Sequence, residues 1–142
     1  MENRWITAEG KLSGLPIRIC YRESWQQLAG QGNAPVCVQI AWHAESKDPQ
    51  TQFPDLSEMV QVDIFNQQLM AALEDGDTAY VCMVITHNGI NQWVIYGADL
   101  DAIKQVLDNL PVSGAGYPIE VVADEDPEWK IFKQVKEAIR QN

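Results

Sequence analysis

Apolar and polar positions alternate with period two in several short runs of the chain. In PIRICYR (residues 16–22), Ile17, Ile19 and Tyr21 alternate with Arg18, Cys20 and Arg22, as in a half-buried strand. RWITAE (4–9) precedes it as a partner strand, joined through GKLSGL. ESWQQLAGQGNAP (23–35) has room for one helical turn before its glycines break it. In VCVQIAWH (36–43), Val36, Val38, Ile40 and Trp42 fall on one face, with Cys37, Gln39, Ala41 and His43 on the other. AESKDPQTQFP is a loop. A helix then starts at Asp55, where Glu58 three residues on completes a capping box, and it runs to about Glu74 with Gly76 as its left-handed terminator. TAYVCMVITH (78–87) and NQWVIYG (91–97) flank Asn88-Gly89, a strong hairpin signal. A second helix begins near Asp99 with Leu100, Ile103, Val106, Leu107 and Leu110 as its buried stripe. YPIEVVA is the last strand, and a final helix from Asp126 uses Ile131, Val135, Ala138 and Ile139.

From Val36 onward this order is strand–helix–strand–strand–helix–strand, the split βαβ or ferredoxin-like unit of the α+β class, βαββαβ with an antiparallel sheet. The expected organisation is one domain over 1–142. An N-terminal strand hairpin (1–35) precedes the ferredoxin-like core (36–123), and an extra C-terminal helix (124–142) follows it. With an even-length loop at Asn88-Gly89, Val81, Met83 and Ile85 share a face with Val94 and Tyr96. Tyr80, Cys82 and Val84 then share the other with Trp93 and Ile95. Both faces are apolar. Two helices cover one, so the other needs the N-terminal hairpin, the last helix or a second subunit.

Charge changes the picture along the chain. Residues 1–54 are neutral, 55–128 carry fourteen acids against Lys104, and 129–142 are net basic, within a total of −10. The acidic middle disfavours nucleic acid and suits a basic protein partner. No apolar run spans a membrane, and MENRWITAEG lacks the apolar core of a signal peptide. With three widely spaced cysteines, this makes the cytoplasm the expected location.

Candidate chemistry is sparse. Cys37, His43, Cys82 and His87 are the Cys/His set for a metal, but Cys82 and His87 should face opposite ways in a straight strand, so no metal or other cofactor is expected. No G-x-S-x-G occurs, and a Cys–His pair is left to spatial proximity alone. The Gly-Ala-Gly of SGAGYP follows a helix and precedes a strand, the reverse of a phosphate-cradling loop. Of the tryptophans, Trp42 and Trp93 are core candidates, while the strand and loop positions of Trp5 and Trp25 decide neither way. DEDPEWKIF (124–132) supports two readings. In one, Asp126 is the N-cap, Pro127 the first helical residue and Glu128 a first-turn acid. In the other, Asp124, Glu125, Asp126, Glu128 and an exposed Trp129 form a partner-binding site; otherwise Trp129 closes the core's edge beside Phe132.

DPEWKIF, the early Trp–Gly–Pro strand pair and the VIYG-ADLD strand-to-helix junction resemble the domain of unknown function 695 family over nearly the whole chain. That resemblance implies a fold and brings no catalytic residues. The D-P-E-W-like ending, the acidity and the topology are also similar in outline to the regulators of ribonuclease E activity, type B, acidic ferredoxin-like proteins that bind and inhibit an enzyme. The expectation is a non-enzymatic protein-binding or regulatory domain. The alternatives are a small enzyme with a pocket no motif reveals, and a homodimeric scaffold built on the open sheet face.

Overall fold

The computed structural model describes residues 5–22, 36–74, 79–109, 119–126, 129–131 and 133–134. The ESWQQLAGQGNAP turn, Trp25, Gly76, Pro127, Glu128, Phe132 and the last helix's Val135, Ala138 and Ile139 lie outside the described residues. The strands are β1 (Trp5–Leu12), β2 (Leu15–Arg22), β3 (Val36–His43), β4 (Ala79–His87), β5 (Ile90–Gly97) and β6 (Ile119–Glu125). Helix α1 is Leu56–Glu74 and α2 is Leu100–Asp108. Both tight hairpins turn on a non-glycine residue followed by glycine, each at positive φ: Ser13-Gly14 (53°, 81°) and Asn88-Gly89 (49°, 78°). The Ser13-Gly14 turn lets β1 and β2 run several residues closer together than their sequence pattern alone marks.

The six strands form one antiparallel sheet in the order β1-β2-β4-β5-β3-β6. The stretch β4-β5-β3-β6, with α1 and α2 as crossovers, has the split βαβ arrangement of a ferredoxin-like core. The N-terminal hairpin adds to the β4 edge, since β2 pairs with β4 from Ile17↔His87 to Tyr21↔Met83. It therefore widens the sheet and does not cover a face.

One face packs on the helices. Val38, Ile40 and Trp42 of β3, Val81 of β4, and Trp93 and Ile95 of β5 form a core with Val62, Phe65, Leu69 and Leu73 of α1 and Ile103 of α2. Phe65 lies edge-on to Trp93, with centroids 5.0 Å apart. The face assignment from strict alternation fails at one place. The β4–β5 register shifts between Val81 and Met83, so Cys82 is an extra residue in β4. Val81 thereby joins Trp93 and Ile95 toward the helices, while Tyr80 and Cys82 join Met83, Val94 and Tyr96 on the opposite face. That opposite face is covered at this end by the C-terminal segment: Trp129 is buried against Cys37, Cys82, Val94 and Tyr96, with Ile131 beside it.

Candidate functional site

The acidic stretch divides sharply by position. Asp124 and Glu125 end β6 and are exposed, whereas Asp126 and Trp129 are buried. Trp129 is 1 % exposed and stacks on Tyr96, ring centroids 4.0 Å apart and planes 10° from parallel. Its backbone is left-handed (φ 57°), a strained state for a bulky side chain. Among the described residues the helix therefore begins at Lys130. Asp126 still caps it, from further back: Oδ1 accepts the Lys130 amide (2.8 Å), and Oδ2 accepts the Ile131 amide (3.0 Å) and the Tyr96 hydroxyl (2.7 Å). Burial works to raise the Asp126 carboxyl. The Ile131 amide, the Tyr96 hydroxyl and the Lys130 amide outweigh it and hold the group below its ordinary value. Asp126 and Trp129 thus form a buried anchor, and among the described residues the accessible acids of this stretch are those on β6.

β6 is an edge strand. It pairs with β3 without a bulge from Val36↔Glu125 to Trp42↔Ile119, and among the described residues nothing pairs with its outer side. It lacks the proline, lysine or bulge that commonly blunt an edge. Val121 and Val122 are 48 % and 52 % exposed. Glu120, Val122 and Asp124 point to one face by alternation, and Val121, Ala123 and Glu125 to the other.

The cysteines and histidines do not converge. The Cys82 bulge puts Cys82 on the same face as His87, which corrects the expectation of opposite faces. Distance along the strands separates them instead. Cys37 pairs with Tyr96 at one end, while His43 and His87 both pair with Ile90 at the other, and six residues of strand span about 20 Å. His87 Nε2 lies 2.9 Å from the Leu12 carbonyl, and His43 Nε2 lies 3.5 Å from Glu120. Among the described residues no three His, Cys, Asp or Glu groups cluster as a metal site. Burial, then the charges of Asp126 and Asp124, push the Cys37 thiol up to about 12 against the opposing pull of Tyr96. Burial likewise raises Cys82. Neither thiol is poised as a nucleophile.

Two buried charged groups escape sequence patterning. Glu58 does not close the capping box. Asp55 Oδ1 accepts the Glu58 amide (2.9 Å), but the Glu58 carboxylate turns to Trp42 Nε1 (2.8 Å) and the amides of Glu45 and Ser46. Arg22, 1 % exposed, donates to both Glu74 oxygens (2.8 Å each) and to the Val81 carbonyl, beneath the Trp5 ring. Both fasten α1 to the sheet.

Between α1 and the widened sheet lies a cleft that no motif announces. Its inner chamber, about 320 Å³, is lined by Trp5, Met59, Met70, Val84 and Trp93, with Arg18, Thr86 and Asn91 among its polar groups. An outer part of about 620 Å³ continues past Arg18 and Met59 to Asp48, Phe53 and Asp55. The ordered loop after β3 shapes this mouth: the Asp48 amide donates to the Phe53 carbonyl (2.8 Å) and the Asp55 amide to the Ser46 carbonyl (2.9 Å).

The fold is thus an α+β sheet with an added hairpin and a C-terminal segment on part of its second face. The chain belongs to the family of unknown function DUF695, whose model matches residues 3–135. No curated protein and no solved structure matched the chain. No helix among the described residues is long and apolar enough to cross a membrane.

Proposed function

We propose that this is a non-enzymatic binding domain that takes an extended, basic segment of a partner protein along the free edge of β6. The observation that carries the reading is the open, unbulged edge bearing Glu120, Asp124 and Glu125 around exposed Val121 and Val122. Strand addition supplies main-chain hydrogen bonds, and alternate side chains supply specificity. Glu120, Val122 and Asp124 share a face, so the incoming strand carries basic side chains opposite the two acids and an apolar one between them. Asp126, Trp129 and Tyr96 hold the end of β6 in place and do not meet the partner.

A selection from randomised peptides displayed against the folded domain tests this. Enriched peptides carry Lys or Arg four residues apart with an apolar residue midway. They lose binding as salt rises and to the variant E120K/D124K/E125K, and they slow amide exchange over 119–125. Peptides that bind the triple variant undiminished overturn the reading.

A further inference from the structure

The inner chamber of the cleft is lined by a buried amide, Asn91, whose Nδ2 has no hydrogen-bond partner among the described residues. Asn91 is 2 % exposed. Thr86 Oγ1 donates to Asn91 Oδ1 (2.7 Å), which fixes the carboxamide and leaves the buried Nδ2 donor unused. Leaving a buried donor unpaired is destabilising, so it marks a place where an acceptor is missing. Register puts a second donor in line with it. Arg18 pairs with Thr86 and Thr86 with Asn91, so the three lie in one row across β2, β4 and β5 on the helix-facing side. Among the described residues Arg18 has no ion pair; its guanidinium lies 5.5 Å from the Phe53 ring centroid, at the junction of the two chambers. The next row on the same face is Cys20–Val84–Trp93, and the apolar wall continues to Trp5 and Met70.

We propose that this chamber binds a small monocarboxylate with an apolar or aromatic body. The carboxylate lies over the Arg18–Thr86–Asn91 row, accepting from Asn91 Nδ2 at depth and from the Arg18 guanidinium at the rim. The body packs over Val84 and Trp93 against Met59 and Met70. The volume suits a ligand at the small end of the usual range for such pockets. Asp63, the one acid among the described residues lining this chamber, is exposed on α1, so the deep recognition group is a donor and selects an acceptor. The site is independent of the β6 edge.

Titration of the whole chain with 3-phenylpropionate, its neutral amide and 3-phenylpropylammonium, followed by nuclear magnetic resonance, decides it. The carboxylate moves the Asn91 side-chain amide and Trp93 indole resonances, and the other two probes do not. Arg18→Gln, an exposed change that spares the fold, weakens binding about tenfold or more, the loss expected for a charge-assisted hydrogen bond. E120K/D124K/E125K leaves it within about twofold, since it alters no residue of the chamber. Equal binding of the amide, preferential binding of the ammonium, shifts confined to other residues, or no shift up to the solubility limit overturns the proposal.

Discussion

At the residue scale, Trp129 and Asp126 show how a stretch that reads as a surface signature serves the core. A tryptophan at positive φ persists only because burial against Tyr96 and its neighbours outweighs the backbone strain. Trp129→Ala is expected to cost roughly 3 kcal/mol, in the range for truncating a buried aromatic. Asp126→Ala removes a cap that also receives the Tyr96 hydroxyl, and costs about 1–2 kcal/mol. Glu125→Ala, exposed on β6, stays within about 0.5 kcal/mol. Urea melts of the three variants check the order. Asp126 adds a pH signature. Its folded value lies below the ordinary 3.8, so its carboxylate stabilises the fold above that value and loses the effect as pH falls through the depressed one. The stability gap between parent and Asp126→Asn is therefore full near neutrality and closes in acid; a gap constant down to about pH 2 contradicts the role given to the carboxylate. The cap was legible from D-P-E-W, but the delayed helix start was not. It depends on Trp129 reaching a pocket built by β3, β4 and β5, which local sequence does not encode.

At the scale of elements, alternation and the Asn-Gly turn signal locate every described strand, because the pleat and the turn are local, while the tight Ser13-Gly14 turn inside GKLSGL was not marked. They do not locate the β4 bulge, since an extra residue is defined only against the partner strand. Nor do they reveal that Glu58 and Arg22 turn inward: each occupies a position that reads as polar surface, and only tertiary partners reverse it. Glu58 links β3, the following loop and α1 through one carboxylate. Glu58→Ala strands the Trp42 indole N–H and two backbone amides, and is expected to cost about 3 kcal/mol or more. Glu58→Gln keeps one acceptor oxygen and costs less, while Asp55→Ala, a simple cap loss, costs about 1 kcal/mol. Thermal or urea melts in which Asp55→Ala exceeds Glu58→Ala reverse the assignment. The cleft was equally hidden in the sequence. Arg18, Thr86 and Asn91 come from three strands and form a row only through the registers of β2, β4 and β5.

At the scale of the molecule, different parts of the chain pack on the two faces of the sheet. The helices cover the Trp93 face, and the segment containing Trp129 and Ile131 covers the Tyr96 end of the other. A chain ending at Glu125 lacks Asp126, Trp129 and Ile131 together. It uncovers Cys37, Cys82, Met83, Val94 and Tyr96, an apolar patch of the kind that drives self-association. The two thiols make the loss measurable. In the full chain burial is the main reason Cys37 stands at about 12 instead of 9.0, so at pH 8 almost no thiolate is present and alkylation is slow. Removing the cover returns solvent to Cys37 and takes away the Asp126 charge, both of which lower its value. Cys37 and Cys82 should then react with iodoacetamide at rates approaching that of a free thiol, as the shortened chain binds an apolar dye. Trp129→Ala in the full chain should fall between the two, since Ile131 and the Asp126 cap remain. If the shortened chain keeps both thiols as protected as the full one, the C-terminal segment is not what closes this face.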